Sequence, residues 1–559
     1  MIKAKKDEIF KLFRTARMLS FGGNPDGGAL QEPETNSTPG KQGKEVDRRP
    51  FDAMMEVLSS PATQARDMVT RLIGHKSASS LHIAAENGQT SLVKMLLDKG
   101  AKINATNDNW PRQTALHHAA SNGHIEVVNV LLDRGAAIDA IADSEGTALH
   151  WAAGRGHIEV VKVLLDRGAA IDAGTTKGTK LSALPYAAAN GHIEVVKVLL
   201  DRGATSTIDA TTDYKWTVLH QAAREGHIEV VKVLLDRGAA TDATKDAQST
   251  ALHWAAGMGH IEVVKVMYDK GAPIDAMVGR TALRQAAYGG HIEVVELLLD
   301  KGVTIDVTKD TQSTALHCAA GRGHIEVVKI LLDKGARIEA MADGTALHRA
   351  AYGGHIEVVK VLLDKGATID ATNDTRLTAL HCAAGRGHIE VVKVLLDKGA
   401  TIDAMADGTA LHRATGSGHI EVVKVLLDRG ARIDATNVKG QTALHVTCES
   451  LYPPFQGPWG AHTHASRIKL VKVLLKRATS ARYRIVDVTD KSGDAALHYA
   501  ARSLNTKVVQ QLLDNGATID QKNEHGETAL DIARRQGWQR GVTLLTSTAQ
   551  SDKIAHPVP

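Results

Sequence analysis

Aromatic residues make up only 3% of the 559 positions, and the chain has three cysteines. So few rings leave the core to Ala, Val, Ile and Leu. Cys318, Cys382 and Cys448 are too few and too far apart for a disulfide framework, which predicts a reducing compartment, the cytoplasm or the nucleus. No apolar run approaches the roughly 20 residues of a membrane-spanning helix. No apolar segment with a small-residue cleavage site marks a secretory signal. The phosphate-binding Gly-x-x-x-x-Gly-Lys-Ser/Thr, the zinc motif His-Glu-x-x-His and the nucleophile elbow Gly-x-Ser-x-Gly are all missing, so no enzymatic activity, cofactor or metal is expected. A surplus of one charge is missing too. Lys3, Lys5, Lys6, Lys11, Arg14 and Arg17 outweigh Asp7 and Glu8 by the same +4 that the whole chain carries, so residues 21–559 are neutral. A nucleic-acid-binding solenoid would hold a positive field along its groove; no nucleic-acid partner is expected.

What the chain has is one phrase, repeated. Thr147 to Ala173 reads TALHWAAGRGHIEVVKVLLDRGAAIDA. Thr147 is placed to cap a helix with its hydroxyl. Leu149, Ala152 and Ala153 share one apolar face, and Gly156 suits the left-handed residue that stops the helix. A second helix follows, with Ile158, Val161, Leu164 and Leu165 as its predicted buried stripe and Glu159, Lys162 and Asp166 on the solvated side. Gly168 ends it. Helices this short are marginal alone, so the unit needs neighbours. Equivalent units start at Ser79, Thr114, Thr147, Ser182, Thr217, Thr250, Thr281, Thr314, Thr345, Thr378, Thr409, Thr442, Ala495 and Thr528. A period near 33 residues with two helices per period is the signature of a stacked solenoid.

The repeated TALHxAAxxGHIEVVKVLLDRGA resembles the ankyrin repeat over roughly residues 79–545. One departure is general: Ala replaces the family's Pro at the first helical position in most copies, which gives up some preorganisation but suits helix propensity. The resemblance implies an all-α ankyrin-repeat solenoid of helix–turn–helix units joined by β-hairpin-like loops. It also implies a protein partner, bound at the loop tips and the concave ends of the first helices. Carried onto this chain, that surface includes Trp110, Arg112, Arg155, Tyr214, Trp216, Arg224, Tyr288, Arg322, Tyr352, Arg376 and Arg386. Aromatic and Arg side chains are enriched at binding hot spots.

Around the array, residues 1–20 form a basic segment in which Ile9, Leu12, Phe13 and Ala16 share a helical face. It reads either as a frayed terminus or as a helix docking on a membrane surface or partner. Residues 21–50 are rich in Gly and Pro breaks and read as a disordered linker. Residues 51–78 read as a capping helix or degenerate half-repeat, and 546–559 as a disordered tail.

Two irregularities stand out inside the array. From Thr250 the spacing alternates between 33 and 31 residues, so Tyr288 and Tyr352 are 64 apart, as are Arg322 and Arg386. Tandem duplication accounts for this, and a partner using it would make contacts at every second repeat. In unit 12 an insertion over residues 452–467 separates the two helices. Tyr452, Phe455 and Trp459 make it a dense aromatic cluster, while Pro453, Pro454 and Pro458 forbid a continued helix. It is either a recognition loop or tolerated decoration. The insertion also predicts weaker coupling of units 13 and 14 to the rest. His462 and His464 lack a third ligand for a metal. The remaining histidines recur in TALH and GHIE, where turn hydrogen bonds explain them. The whole reads as a monomeric protein-binding scaffold or adaptor; the second reading gives the N-terminus the decisive role, at a membrane or organelle surface, and a third makes the chain the sensor portion of a larger signalling system.

Overall fold

A computed structural model describes residues 77–107, 112–142, 146–174, 182–211, 216–242, 250–273, 282–306, 313–339, 344–449, 460–480 and 483–555. They belong to one compact unit, Thr70–Pro559. The N-terminal segment, the linker and most of the capping region (residues 1–76) lie outside the described residues.

Among the described residues twenty-eight α-helices follow in fourteen pairs, with one 3-10 turn at Ala204–Thr207 and no strand beyond isolated bridges such as Thr106 to Thr114. In unit 3 the leading helix is Ala148–Arg155 and the trailing helix Ile158–Asp166. Gly156 separates them with φ 77°, a left-handed turn that costs glycine nothing. Leading helices pack on leading helices of adjacent units and trailing on trailing. Leu149, Ala152, Ala153, Val160, Val161 and Leu164 are each at most 1% exposed. Burying a Val or Leu fully is worth roughly 1.5–3 kcal/mol, and here most of that burial exists only between units. The trailing helix is rotated from the predicted stripe: Val160 is buried, whereas Ile158 and Leu165 are only half-buried. The i, i+3, i+4 spacing fixes a face but not its centre, and the centre is set by the neighbouring helices.

Polar ladders tie the layers together. The TALH histidine accepts the amide N–H of its own Thr at Nδ1, as His150 does from Thr147 at 3.1 Å. The Thr hydroxyl also lies against that nitrogen, 3.0 Å from it in the same unit. Threonine and histidine thus form a reciprocal capping box, as expected for Thr147 and repeated at Thr217 and Thr314, whose hydroxyls accept the His amide. On the other ring nitrogen, His348 donates to the Leu377 carbonyl of the next unit at 2.8 Å, and His381 to Gly408 at 3.0 Å. The GHIE histidine points backward instead: His355 donates to the Gly321 carbonyl of the preceding unit at 3.1 Å. A carboxylate after the trailing helix then accepts a backbone amide of the next unit, as Asp139 does from Ala170 and Asp370 from Thr401.

The C-terminal part differs in two places. The trailing helix of unit 12 spans Gly460–Ser480, so it begins eight residues before Ile468 and takes in the end of the insertion. Proline is confined to the stretch before Gly460, which leaves the rest free to be helical. The last helix runs Gln539–Ala555, past the boundary at 545, because no proline occurs before Pro557.

Unit 12 also makes hydrogen bonds to both of its neighbours. Arg467 stands where GHIE has histidine and donates to the Gly416 carbonyl of unit 11 at 3.2 Å. His445 donates to the Asp494 carbonyl at 3.1 Å, and Gln441 donates to the Tyr499 hydroxyl at 2.9 Å. The loops themselves pair, with Lys491 N–H on the Lys439 carbonyl and Glu524 N–H on that of Ser492. The insertion therefore leaves the layer contacts in place.

Candidate protein-interaction surface

Most polar groups of the repeat are committed to holding it together, so a surface for partners must come from what is left over. The TALH histidines are buried and hydrogen-bonded within the repeat. Burial pushes His117 and His118 down to about 4 and lowers His348, His381, His412 and His445 as well. Burial likewise pushes the Cys382 thiol up to about 11 and that of Cys448 to about 12, far from a reactive thiolate. Among the described residues no group of three or more His, Cys, Asp or Glu is placed to hold a metal. No helix among them is long and apolar enough to cross a membrane.

The trailing-helix side is electrically self-matched. Lys–Glu pairs recur within helices, such as Lys360 to Glu357 at 2.8 Å. Between units, Arg134 pairs with Asp98, Arg167 with Asp133, Arg237 with Asp201, Lys334 with Asp300 and Lys398 with Asp364, at 2.7–3.0 Å. One rung differs: Lys301 lies 4.4 Å over the Tyr268 ring, beside a cavity of about 190 Å³.

The leading-helix ends are different. Tyr288 and Tyr352 are 42% and 49% exposed, unusual for rings in a chain with so few. The Arg322 guanidinium lies 4.0 Å over the Tyr288 ring, and Arg386 lies 3.9 Å over Tyr352. Each pair bridges two units, 7 with 8 and 9 with 10. The ring face is negative and attracts the cation, and it orders the guanidinium without using its N–H donors. Trp216 and Arg224 form a third cluster: Trp216 packs against Trp254 of the next unit with centroids 4.8 Å apart and planes inclined by 54°, and Arg224 lies over both, 5.4 and 5.9 Å away. That cluster is half-buried. Arg155 is exposed at the end of helix Ala148–Arg155, while Arg112 and Arg376 are exposed in loops. Arg376 holds a left-handed φ of 60°. Trp110, Tyr214, Tyr452, Phe455 and Trp459 lie outside the described residues.

Sequence reasoning passed over Trp254, Arg349 and Arg413. All three occupy the position after TALH, which faces the adjacent leading helix. A Cβ placed on Gly321 would sit 3.4 Å from Arg349 Cβ, and one on Gly385 would sit 3.7 Å from Arg413 Cβ. Arg349 and Arg413 recur at the same 64-residue interval as the tyrosines, a signal that was available.

Eight stretches, the first seven overlapping, match the family described as Ankyrin repeats (3 copies): residues 81–175, 171–246, 238–309, 273–342, 304–373, 347–437, 401–453 and 461–554. Together they span nearly all of the helix pairs described above, and ankyrin repeats are generally protein–protein interaction modules. The chain thus belongs to the ankyrin repeat family.

Proposed function

We propose that this protein is a non-enzymatic scaffold or adaptor that binds a protein partner along the leading-helix ends of units 7 to 10. The observation that carries the reading is the pair of exposed, cation-capped rings, Tyr288 with Arg322 and Tyr352 with Arg386. Exposed Tyr and Arg are side chains enriched at hot spots, and in fixed geometry they lose little side-chain freedom on binding. The self-matched trailing side offers a partner nothing comparable. The scaffold acts as a monomer in the cytoplasm or nucleus, and its rigidity comes from the interlocked polar ladders. Capture of partners from native lysate by the full chain, compared with a Tyr288→Ala/Tyr352→Ala variant and with a variant lacking residues 452–466, tests this. A partner lost from the tyrosine variant and retained by the deletion supports the reading. The reverse pattern places recognition on the unit 12 insertion and overturns it.

A further inference from the structure

The five leading helices of units 7 to 11 carry arginine and no acidic residue. They read ALRQAAYG, ALHCAAGR, ALHRAAYG, ALHCAAGR and ALHRATGS. They contain Arg284, Arg322, Arg349, Arg386 and Arg413 and not one Asp or Glu. A loop carboxylate offsets part of this, since Asp407 pairs with Arg413 at 3.1 Å. Arg322 and Arg386, in contrast, pair with no carboxylate among the described residues and lie over a tyrosine. A stacked guanidinium keeps its fork of N–H donors directed outward, the geometry that grips a carboxylate with two parallel bonds.

Resting on the protein-binding reading above, we infer that the ligand of this face is an extended acidic peptide segment with two carboxylate clusters set about 20 Å apart. The distance follows from the period. The two Tyr–Arg stacks are related by two repeats, and helix layers are roughly 10 Å apart. An extended chain advances about 3.3 Å per residue, so the clusters are separated by about six residues. Charge complementarity selects the peptide over a nucleic acid. A nucleic-acid strand presents a phosphate at every nucleotide and is gripped by an unbroken positive track, whereas here Arg284 donates to the Ser313 carbonyl and Arg413 pairs with Asp407, and residues 21–559 are neutral.

The test uses the full chain and fluorescein-labelled Gly/Ser peptides, read by fluorescence anisotropy. One peptide carries two Glu-Glu pairs six residues apart, a second carries a single pair, and a third carries Lys in place of every Glu. The two-pair peptide is expected to bind at least about tenfold more tightly than the single-pair peptide, the gain of a second site engaged at high effective concentration. Arg322→Gln or Arg386→Gln alone should abolish that gain, and 0.5 M salt should weaken it. Equal binding of the one-pair and two-pair peptides, binding indifferent to both Arg substitutions, or tighter Arg-dependent binding of a single-stranded oligonucleotide overturns the inference. A charge-diverse peptide array separates this failure from the broader one. Neutral or basic peptides whose binding needs Tyr288 and Tyr352 would leave the protein-binding face standing and remove its acidic ligand. An array with no tyrosine-dependent binder would remove both.

Discussion

Replacing Gly323 with Ala should cost about twice what replacing Gly335 costs, although both glycines hold left-handed backbone, at φ 80° and 92°. Gly323 sits between the two helices of unit 8, and Gly335 follows its trailing helix. An L side chain in that region costs about 1–2 kcal/mol at either place. At Gly335 nothing lies within 4 Å of the added Cβ, so the conformational term is the whole effect. At Gly323 the Cβ would fall within 3 Å of the His355 ring of the next unit. His355 must move, and its bond to the Gly321 carbonyl goes with it, adding about 1–2 kcal/mol for a lost bond and a partly stranded polar group. The totals are roughly 2–4 against 1–2 kcal/mol. A fourteen-unit array does not unfold in one step, so a global midpoint would blur the difference. Native-state hydrogen exchange resolves it: amides of helices Ala315–Arg322 and Ile325–Asp333 should open more easily in G323A than in G335A. Equal effects of the two substitutions would refute the claim that the glycine is held by its neighbour's histidine.

Acid should loosen the stack. Burial lowers His117, His348, His381, His412 and His445 in the folded state below their unfolded value of 6.5, so the stability they confer is complete above pH 6.5. It is lost as pH falls toward the folded values. His117, lowered to about 4, alone accounts for about 3 kcal/mol across that window; urea midpoints that do not fall between pH 6.5 and 4.5 would contradict this. Tyr499→Phe should cost about 1–3 kcal/mol, because the hydroxyl both donates to Asp490 at 2.6 Å and accepts from Gln441. Faster exchange confined to units 12 and 13 is the expected readout. Lys334→Ala should cost less than about 1 kcal/mol, since its pair with Asp300 is half-exposed on both sides; a larger loss would show that the charge ladder matters more than its exposure allows.

The fold was legible because the sequence states the same local solution fourteen times. Thr, Leu, His and Gly at fixed offsets defined both helices and the turn between them. The rotation of the trailing helix toward Val160 was not legible, since burial there depends on the neighbouring layer. The insertion of unit 12 invited a break in the stack, but the contacts restoring it, Arg467 to Gly416 and Gln441 to Tyr499, join residues more than fifty positions apart. Of the surface, the 64-residue recurrence of Tyr288 with Tyr352 and Arg322 with Arg386 was visible, and stacking between them came only with the structure. Trp254 was hidden because its position in TALHWAAG looks like core until Trp216 of the preceding unit is seen against it.

The most direct test of the central claim is partner capture by the full chain, compared with a variant carrying Tyr288→Ala, Arg322→Ala, Tyr352→Ala and Arg386→Ala. Circular dichroism should show the helical content unchanged, since all four side chains lie at exposed helix ends. Loss of the captured partner from this variant, with its retention by the variant lacking residues 452–466, is the predicted result. Undiminished capture by a folded four-site variant would contradict the account.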